Sequence, residues 1–361
     1  MSLDRISLAT FRNHAETRLD GAVQFNLLAG ENGAGKTNIL EAISLFAPGR
    51  GLRRAALSDM ASKDGPGGFG INADLDPHDG GEAVVLATGT RADRPGRRLV
   101  HVNRAESTAI GLGEWLAVSW LTPAMDGLFT DSKSVRRRYM DRLAVAINPA
   151  HARLANRYDG ALRERNRLLS DERNPDPAWL DSIEDQLADA AVGLTEGRQN
   201  LVELLAAKLA REPEQPFARP LLHYVPGGLQ TYHGMMAELK RQRPRDRAAR
   251  RTLTGPHRDE LEVVMAGKNA PAAQCSTGEQ KAMLIAMTLA HAELAAGGRP
   301  GILLLDEIAA HLDPVRRAAL FERLRNSSTQ VWLTGTELTP FEDITSEAAI
   351  WRVSSGEVER D

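Results

Sequence analysis

Gly30-Glu31-Asn32-Gly33-Ala34-Gly35-Lys36-Thr37 has the spacing G-x-x-x-x-G-K-T, and each position has a chemical reason. Gly30, Gly33 and Gly35 let the backbone curl until successive N–H groups face phosphate oxygens. Glu31, Asn32 and Ala34 supply the rest of that backbone. Lys36 brings a compact positive charge to the β- and γ-phosphates, and the Thr37 hydroxyl can ligate Mg2+. Near the other end of the chain, Ile302-Leu303-Leu304-Leu305 runs into Asp306-Glu307. An acid at the tip of a buried strand suits Mg2+, directly or through water, so Asp306 joins Thr37 as a metal candidate. Glu307, one residue further on, is the catalytic candidate that orients or deprotonates the attacking water. Together these residues describe ATP hydrolysis, provided the fold brings the two ends of the chain to one nucleotide.

The bland readings are a chance glycine-rich turn and a strand that simply ends in polar residues. Context separates them. Val23-Gln24-Phe25-Asn26-Leu27-Leu28 reads as a strand leading into the glycines, and Ile39, Leu40, Ile43 and Leu45 give the apolar face of a helix that Pro48-Gly49 ends. Ser276-Thr277-Gly278-Glu279-Gln280 is a third segment of interest. Its S-x-x-E spacing is a capping box, followed by a buried face of Ala282, Met283, Ile285, Ala286, Leu289 and Ala290. Read blandly it is a well-capped helix. Read functionally, the Ser276 hydroxyl, the Gly278 backbone and the helix N-terminus form another phosphate-binding surface.

The elements that must position these residues fall into three stretches. Residues 1–128 begin with Ile6–Phe11 and the strand before the glycines, and 70–120 suit an antiparallel sheet that includes Ala83–Ala87 and Leu99–Val102. Residues 129–250 change character near Asp131 and are largely helical in pattern as far as Leu239. Pro175 and Pro177 punctuate that stretch, no heptad persists long enough for an extended coiled coil, and the run Lys240–Arg251 near the boundary is a basic group that could meet phosphate backbones, with a charged loop as the alternative. Residues 251–361 return to strand at Leu261–Met265 and carry the capping box and the acidic pair.

The bulk numbers exclude several classes. The 361 residues carry 42% hydrophobic and 26% charged side chains, as an ordinary globular protein does. No apolar run approaches the roughly 18 residues that span a bilayer, and Asp4, Arg5, Arg12 and Glu16 interrupt any leader-like stretch. The single cysteine, Cys275, excludes an intrachain disulfide framework and fits a reducing cytoplasmic location. A net charge of −3 argues neither for nor against a polyanionic partner, so local clusters must decide.

Ser276–Gln280 resembles the signature of cassette-type ATPases, and Ala310-His311-Leu312-Asp313-Pro314 resembles the loop that touches the partner subunit in those proteins, with Asp313 at the matching position. A more specific resemblance covers nearly the whole chain. Thr10-Phe11-Arg12-Asn13-His14, Gly35–Ile43, Arg136–Asp141, Leu154–Tyr158, Arg165–Leu169 and Thr254-Gly255-Pro256-His257-Arg258-Asp259 are similar, in order, to segments of the RecF family. That family comprises bacterial recombination mediators acting at single-strand gaps in DNA. The resemblance implies an α/β fold: a P-loop cassette-type ATPase head with a mixed sheet, split by an inserted α-helical lobe. It implies ATP and Mg2+ as cofactors. It also implies an ATP-dependent homodimer, in which Ser276, Gly278 and Gln280 serve the ATP of the opposite copy. Duplex DNA, single-strand/double-strand junctions and RecR with RecO are the implied partners. Membrane association is not among them.

Departures from the pattern are visible. Trp120-Leu121-Thr122-Pro123 offers no glutamine at the entry to the helical lobe, and Pro123-Ala124-Met125-Asp126 replaces Pro-Glu-Asp-Leu. No switch histidine follows Val331-Trp332-Leu333-Thr334, which leaves Thr334 and Thr336 as hydroxyl candidates for a γ-phosphate sensor. Slow, switch-like hydrolysis suits these departures. Arg50, Arg53 and Arg54, then Arg136, Arg137 and Arg138 with Arg142, are the candidate DNA contacts, and a solvated charged face is the alternative for each. Without interleaved aromatics, duplex-backbone binding is expected over single-strand stacking. The rival function is the ATPase subunit of a membrane transporter, which shares the three motifs. Its insertion is shorter, and it carries the glutamine and histidine missing here.

Overall fold

The strand that leads into the glycine loop, β3 (Phe25–Ala29), is buried at every position, as a strand inside a sheet covered on both faces requires. The computed structural model describes residues 2–76, 82–171 and 175–361. It places β3 in the middle of a six-stranded sheet. The order is β15 (Glu357–Arg360), β14 (Ala348–Ser354), β3, β13 (Gln330–Gly335), β12 (Gly301–Leu305) and β8 (Ala117–Leu121). All neighbours pair in parallel except the edge strand β15. The register sets Leu305 opposite both Leu121 and Leu333, and Gly335 opposite Ala29. The carboxyl ends of β12, β13 and β3 are therefore level, and ligands of parallel sheets bind at that edge.

A second six-stranded sheet is wholly antiparallel, in the order β2 (His14–Asp20), β1 (Ser2–Phe11), β4 (Gly68–Asp76), β5 (Val84–Arg91), β6 (Arg94–Val102) and β7 (Ala105–Glu106). Between the sheets runs α1 (Lys36–Ser44): Ile39, Leu40 and Ile43 share one core with Ile6 and Leu8 of β1, Leu304 of β12 and Trp332 of β13. Trp332 stacks on Trp351 at 5.4 Å. Both sheets and α1 belong to unit 1, comprising Met1–Asp126, Gln215–Phe217 and Leu284–Asp361; α2 (Ala109–Trp115) and α8 (Pro314–Arg325) lie in it too.

Unit 2 comprises Gly127–Glu214 and Ala218–Met283. Its helices are α3 (Lys133–Ile147), α4 (His151–Ser170), α5 (Pro177–Leu209) and α6 (Tyr232–Ala248). Tyr158 and Ala161 of α4 pack with Leu187, Ala191 and Leu194 of α5 and with Met235 and Leu239 of α6. One polar cluster is fully buried: Arg165 donates to Glu184 (3.0 Å), Asp246 (2.7 Å) and Thr252 (2.8 Å). Two carboxylates around one guanidinium are tolerable there because Arg243 also donates to Glu184, at 2.6 Å.

Three local expectations change. The basic run Lys240–Arg251 is mostly helix, α6 continuing through Pro244 to Ala248, and Arg243 is tied to Glu184 and Asp181. Inside the stretch read as helical lies a strand, β9 (Pro220–Val225), pairing with β10 (Glu260–Met265), which pairs with β11 (Ala270–Pro271). This small sheet groups residues 251–283, read from sequence as the start of the second half of the head, with the helices of unit 2. Last, β8 belongs to the parallel sheet, so the antiparallel run ends at Glu106. No helix among the described residues is long and apolar enough to cross a membrane.

Candidate nucleotide site

After β3 the chain turns through Gly33 (φ 85°) and Gly35 (φ 118°), conformations that suit glycine, and enters α1 at Lys36. Gly30 approaches the neighbouring strand so closely that a Cβ there would stand 2.1 Å from the Val353 carbonyl oxygen. The N-cap of α1 is Gly35 in the left-handed region, with no side-chain cap. The Asn38 N–H turns back to the Gly35 carbonyl at 2.9 Å, and the amides of Lys36 and Thr37 before it face the side where an anion would sit. Lys36 is 4% exposed, and its Nζ donates to the carbonyls of Gly30 (2.6 Å) and Glu31 (2.8 Å). Burial pushes its pKa down, and the charges of Glu307 and Asp306 oppose that shift.

The two ends of the sequence do meet. Thr37 Oγ1 donates to Asp306 Oδ1 at 2.9 Å across 269 positions of chain. Thr334, at the end of β13 between them, donates its hydroxyl proton to the same carboxylate oxygen at 2.9 Å and accepts the Glu307 N–H at 2.9 Å. A hydroxyl has one proton. With it given to Asp306 and the side chain 1% exposed, Thr334 bridges the carboxylate of Asp306 and the backbone of Glu307. It holds Glu307 in a left-handed backbone (φ 55°), a costly state for a non-glycine residue that packing must maintain. Thr336 lines a cleft of about 570 Å3 with Gly30–Ala34, Glu337, Arg352 and Ser354.

Among the described residues no three His, Cys, Asp or Glu side chains converge as a metal cage. Mg2+ does not require one: it takes one or two protein oxygens and completes its octahedron with water and phosphate. The hydroxyl of Thr37 beside the carboxylate of Asp306 fits that demand.

The signature segment lies in unit 2. There Ser276 and Glu279 close a reciprocal capping box at the start of α7 (Thr277–Ala296): the Ser276 N–H donates to Glu279 Oε2 at 3.0 Å, and the Glu279 N–H to Ser276 Oγ at 3.4 Å. Lys268 pairs with Glu279 at 2.5 Å, and this ammonium, with the Ser276 donors, brings the carboxyl pKa down to about 2. Gln280 is buried and donates to the Cys275 carbonyl at 2.9 Å, while Gly278 is exposed. Asp313 caps α8, accepting the Arg316 N–H at 3.0 Å.

The arginine candidates divide sharply. Arg53 donates to buried Glu41 (2.9 Å) and to Asn38 (2.6 Å), and Arg12 grips the same Glu41 through two bonds. Arg136 forks onto Glu260 at 2.7 and 3.1 Å and reaches the carbonyls of Phe129 and Asp131. Arg137 donates to the Asp259 carbonyl at 2.9 Å. Arg50, Arg54 and Arg138 are exposed.

Sequence reasoning missed what Thr254–Asp259 does locally. Buried Asp259 accepts from Arg198 (2.7 Å), Tyr224 (2.5 Å) and the Gly227 N–H (2.7 Å), and Arg198 forks onto Asp141. Burial pushes the His257 pKa down to about 4. The neutral ring then accepts the Tyr158 hydroxyl proton on Nδ1 (2.7 Å) and donates from Nε2 to the Thr252 carbonyl (3.0 Å). The segment is a tie within unit 2, with only Arg258 fully exposed.

The family model for the RecF/RecN/SMC N terminal domain matches residues 2–357. The DNA replication and repair protein RecF of Brucella abortus (strain 2308) is 45% identical over 371 residues, covering 99% of this chain and 96% of that protein. Its counterpart from Rhizobium meliloti (strain 1021) is 43% identical, covering 99% and 98%. Among solved structures, the recombination mediator protein RecF-ATPrS in the RecFOR pathway superimposes with a TM-score of 0.88 at 21% identity, covering 99% of this chain and 97% of that one. An Smc head domain from Pyrococcus furiosus gives 0.55 at 16% identity, covering 100% and 96%. The full-length identity to curated relatives places the glycine loop, the acidic strand end and the signature in one setting: the chain belongs to the RecF family.

Proposed function

We propose that this chain is an ATP-switched DNA-binding protein of replication and recombinational repair. The carrying observation is the hydrogen-bonded chain Thr37–Asp306–Thr334–Glu307, which brings a hydroxyl and two acids from distant parts of the sequence together beside the glycine loop. In this reading Gly30–Thr37 hold ATP, and Thr37 and Asp306 hold Mg2+, which neutralises phosphate charge when bound. Glu307 orients the attacking water. Two copies close on two ATP molecules, with Ser276 and Gly278 of each serving the other and Asp313 at the contact. The closed dimer clamps duplex DNA at single-strand/double-strand junctions, and slow, DNA-dependent hydrolysis opens it. RecR with RecO are the protein partners, and the cytoplasm is the place of action.

The relatives' names and the RecFOR description of the similar structure support the pathway. Membership of the RecF family weighs against a transporter subunit. Because Arg53, Arg136 and Arg137 have intramolecular duties, the exposed Arg50 and Arg138 are the first DNA contacts to test.

The test is a gel shift of a gapped duplex with and without ATP, at two salt concentrations, for the wild type and Glu307→Gln. ATP-stimulated, salt-sensitive binding that persists longer in Glu307→Gln is expected. Binding indifferent to ATP, or a variant complex no longer-lived than the wild type's, would overturn the switch.

A further inference from the structure

The β1–β2 hairpin turns through only Arg12 and Asn13, with Phe11 paired to His14, and three consecutive side chains reach the phosphate loop or its helix. Arg12 forks onto Glu41 of α1 at 2.9 and 2.8 Å. Asn13 Nδ2 donates to the Ala34 carbonyl at 2.9 Å, and Asn13 Oδ1 accepts from Asn38 Nδ2 at 2.6 Å. His14 is wholly buried, and burial lowers its pKa, so the neutral ring has one N–H: with the proton on Nε2 it donates to the Gly35 carbonyl at 3.1 Å, and Nδ1 accepts the Thr17 hydroxyl proton at 2.9 Å. The Gly356 N–H also donates to the Ala34 carbonyl, at 2.9 Å. A turn that served only its own hairpin would need none of these contacts. The two-residue turn itself requires the positive φ of Arg12 (56°), so the contacts beyond the hairpin are additional to what the turn needs.

The direction of the contacts gives them meaning. A phosphate loop works by aiming N–H groups one way, so its carbonyls must point the other way and be satisfied there. Asn13 and Gly356 form that backing for Ala34, and His14 adds a donor from behind to the Gly35 carbonyl, which also accepts the Asn38 and Ile39 N–H groups at 2.9 and 3.3 Å. The fit is tight: a Cβ on Gly35 would lie 2.8 Å from both Asn13 Nδ2 and His14 Nε2, and one on Gly356 would lie 2.1 Å from the Asn13 carbonyl oxygen.

We propose that Asn13 and His14 are positioning residues for the nucleotide, fixing the carbonyls of Ala34 and Gly35 so that the amides of the phosphate loop stay aimed at phosphate. The proposal rests on the reading of Gly30–Thr37 as an ATP site. Neither side chain touches the reacting atoms in this role, so their loss weakens binding and leaves the chemical step alone.

Titration of the full-length protein with a fluorescent N-methylanthraniloyl ATP tests this, alongside nucleotide-free melting temperatures and kcat and KM for ATP. Asn13 is exposed, so Asn13→Ala is a surface truncation that folds. Asn13→Ala is expected to weaken the analogue about fivefold, the value of one hydrogen bond, and to raise KM with kcat unchanged. His14→Phe should weaken it at least as much. His14→Gln, which keeps a side-chain N–H, should recover part of the loss. Wild-type affinity in both Asn13→Ala and His14→Phe would overturn the proposal. So would losses that track the melting temperature while Asn13→Ala binds normally. Lys36→Met keeps the two readings apart: if it binds the analogue as tightly as the wild type, the ATP site itself is wrong. If only Lys36→Met loses binding, the site stands and the brace falls.

Discussion

Helices α1 and α7 carry the same kind of positive end and treat it in opposite ways. At α1 the N-cap is a glycine with no side-chain cap, and the loop before it is gripped from behind by its carbonyls. At α7 the cap is a serine whose hydroxyl accepts one amide proton while Glu279 accepts another, with Lys268 neutralising the acid. The dipole is common to both. What differs is how the third amide of the first turn is held: the Asn38 N–H of α1 turns back to the Gly35 carbonyl at 2.9 Å, whereas the Glu279 N–H of α7 goes to the Ser276 hydroxyl. An end with no side chain over it leaves its first amides to an anion or to water. A self-capped end is stable without one, and offers only the outward side of Ser276 and the exposed Gly278 to whatever comes against it. A motif that starts a helix thus says nothing about which of these it is until the side chains are placed.

Substitutions can break or sharpen that contrast, the largest effect first. If the open end holds a phosphate that is cleaved there, Glu307→Gln should lower ATP turnover by about 10²–10⁴-fold with affinity unchanged, measured by single-turnover hydrolysis. Comparable turnover in the variant would place the general base elsewhere. Gly35→Ala should damage the open end itself, through its φ of 118° and its contact with Asn13 and His14. A loss of about 1–3 kcal/mol in denaturant stability and at least about tenfold weaker nucleotide binding are expected. Ser276→Ala should cost about 1 kcal/mol of stability and leave nucleotide affinity of the isolated monomer untouched, since the cap is local.

A pH series sharpens the same point. The Glu279 carboxyl is held well below its ordinary value, so its contribution is complete above the usual carboxylate range and is lost as pH falls toward about 2. The melting-temperature gap between the wild type and Glu279→Gln should therefore be constant near neutrality and close in acid. The smallest effect belongs to Arg53→Ala, which should cost less than about 1 kcal/mol because Arg12 still compensates buried Glu41. A large loss would mean that Glu41 needs both cations.

The glycine loop, the acidic strand end and the capping box were legible because each is local. A helix N-terminus needs particular residues within four positions, and a buried strand needs an apolar run. The antiparallel strands and the helical insertion were legible as patterns for the same reason. β9 was not, because its apolar residues sit inside a stretch whose average composition is helical, and only pairing with β10 makes it a strand. The intramolecular pairing of some arginines was hidden for a related reason. A run of positive charge reads as a surface, yet Arg136 had a carboxylate waiting 124 positions away.

The sequence by itself determined which residues could bind phosphate and metal, and that they stood at opposite ends of the chain. It could not say what Thr334, Gly356, Asn13 or His14 were for. Their roles depend on the order of strands β3, β13 and β12 and on a hairpin docking behind the loop. Chemical identity is a property of a residue, whereas hydrogen-bond direction depends on which backbone stands opposite. Only the tertiary structure decides that.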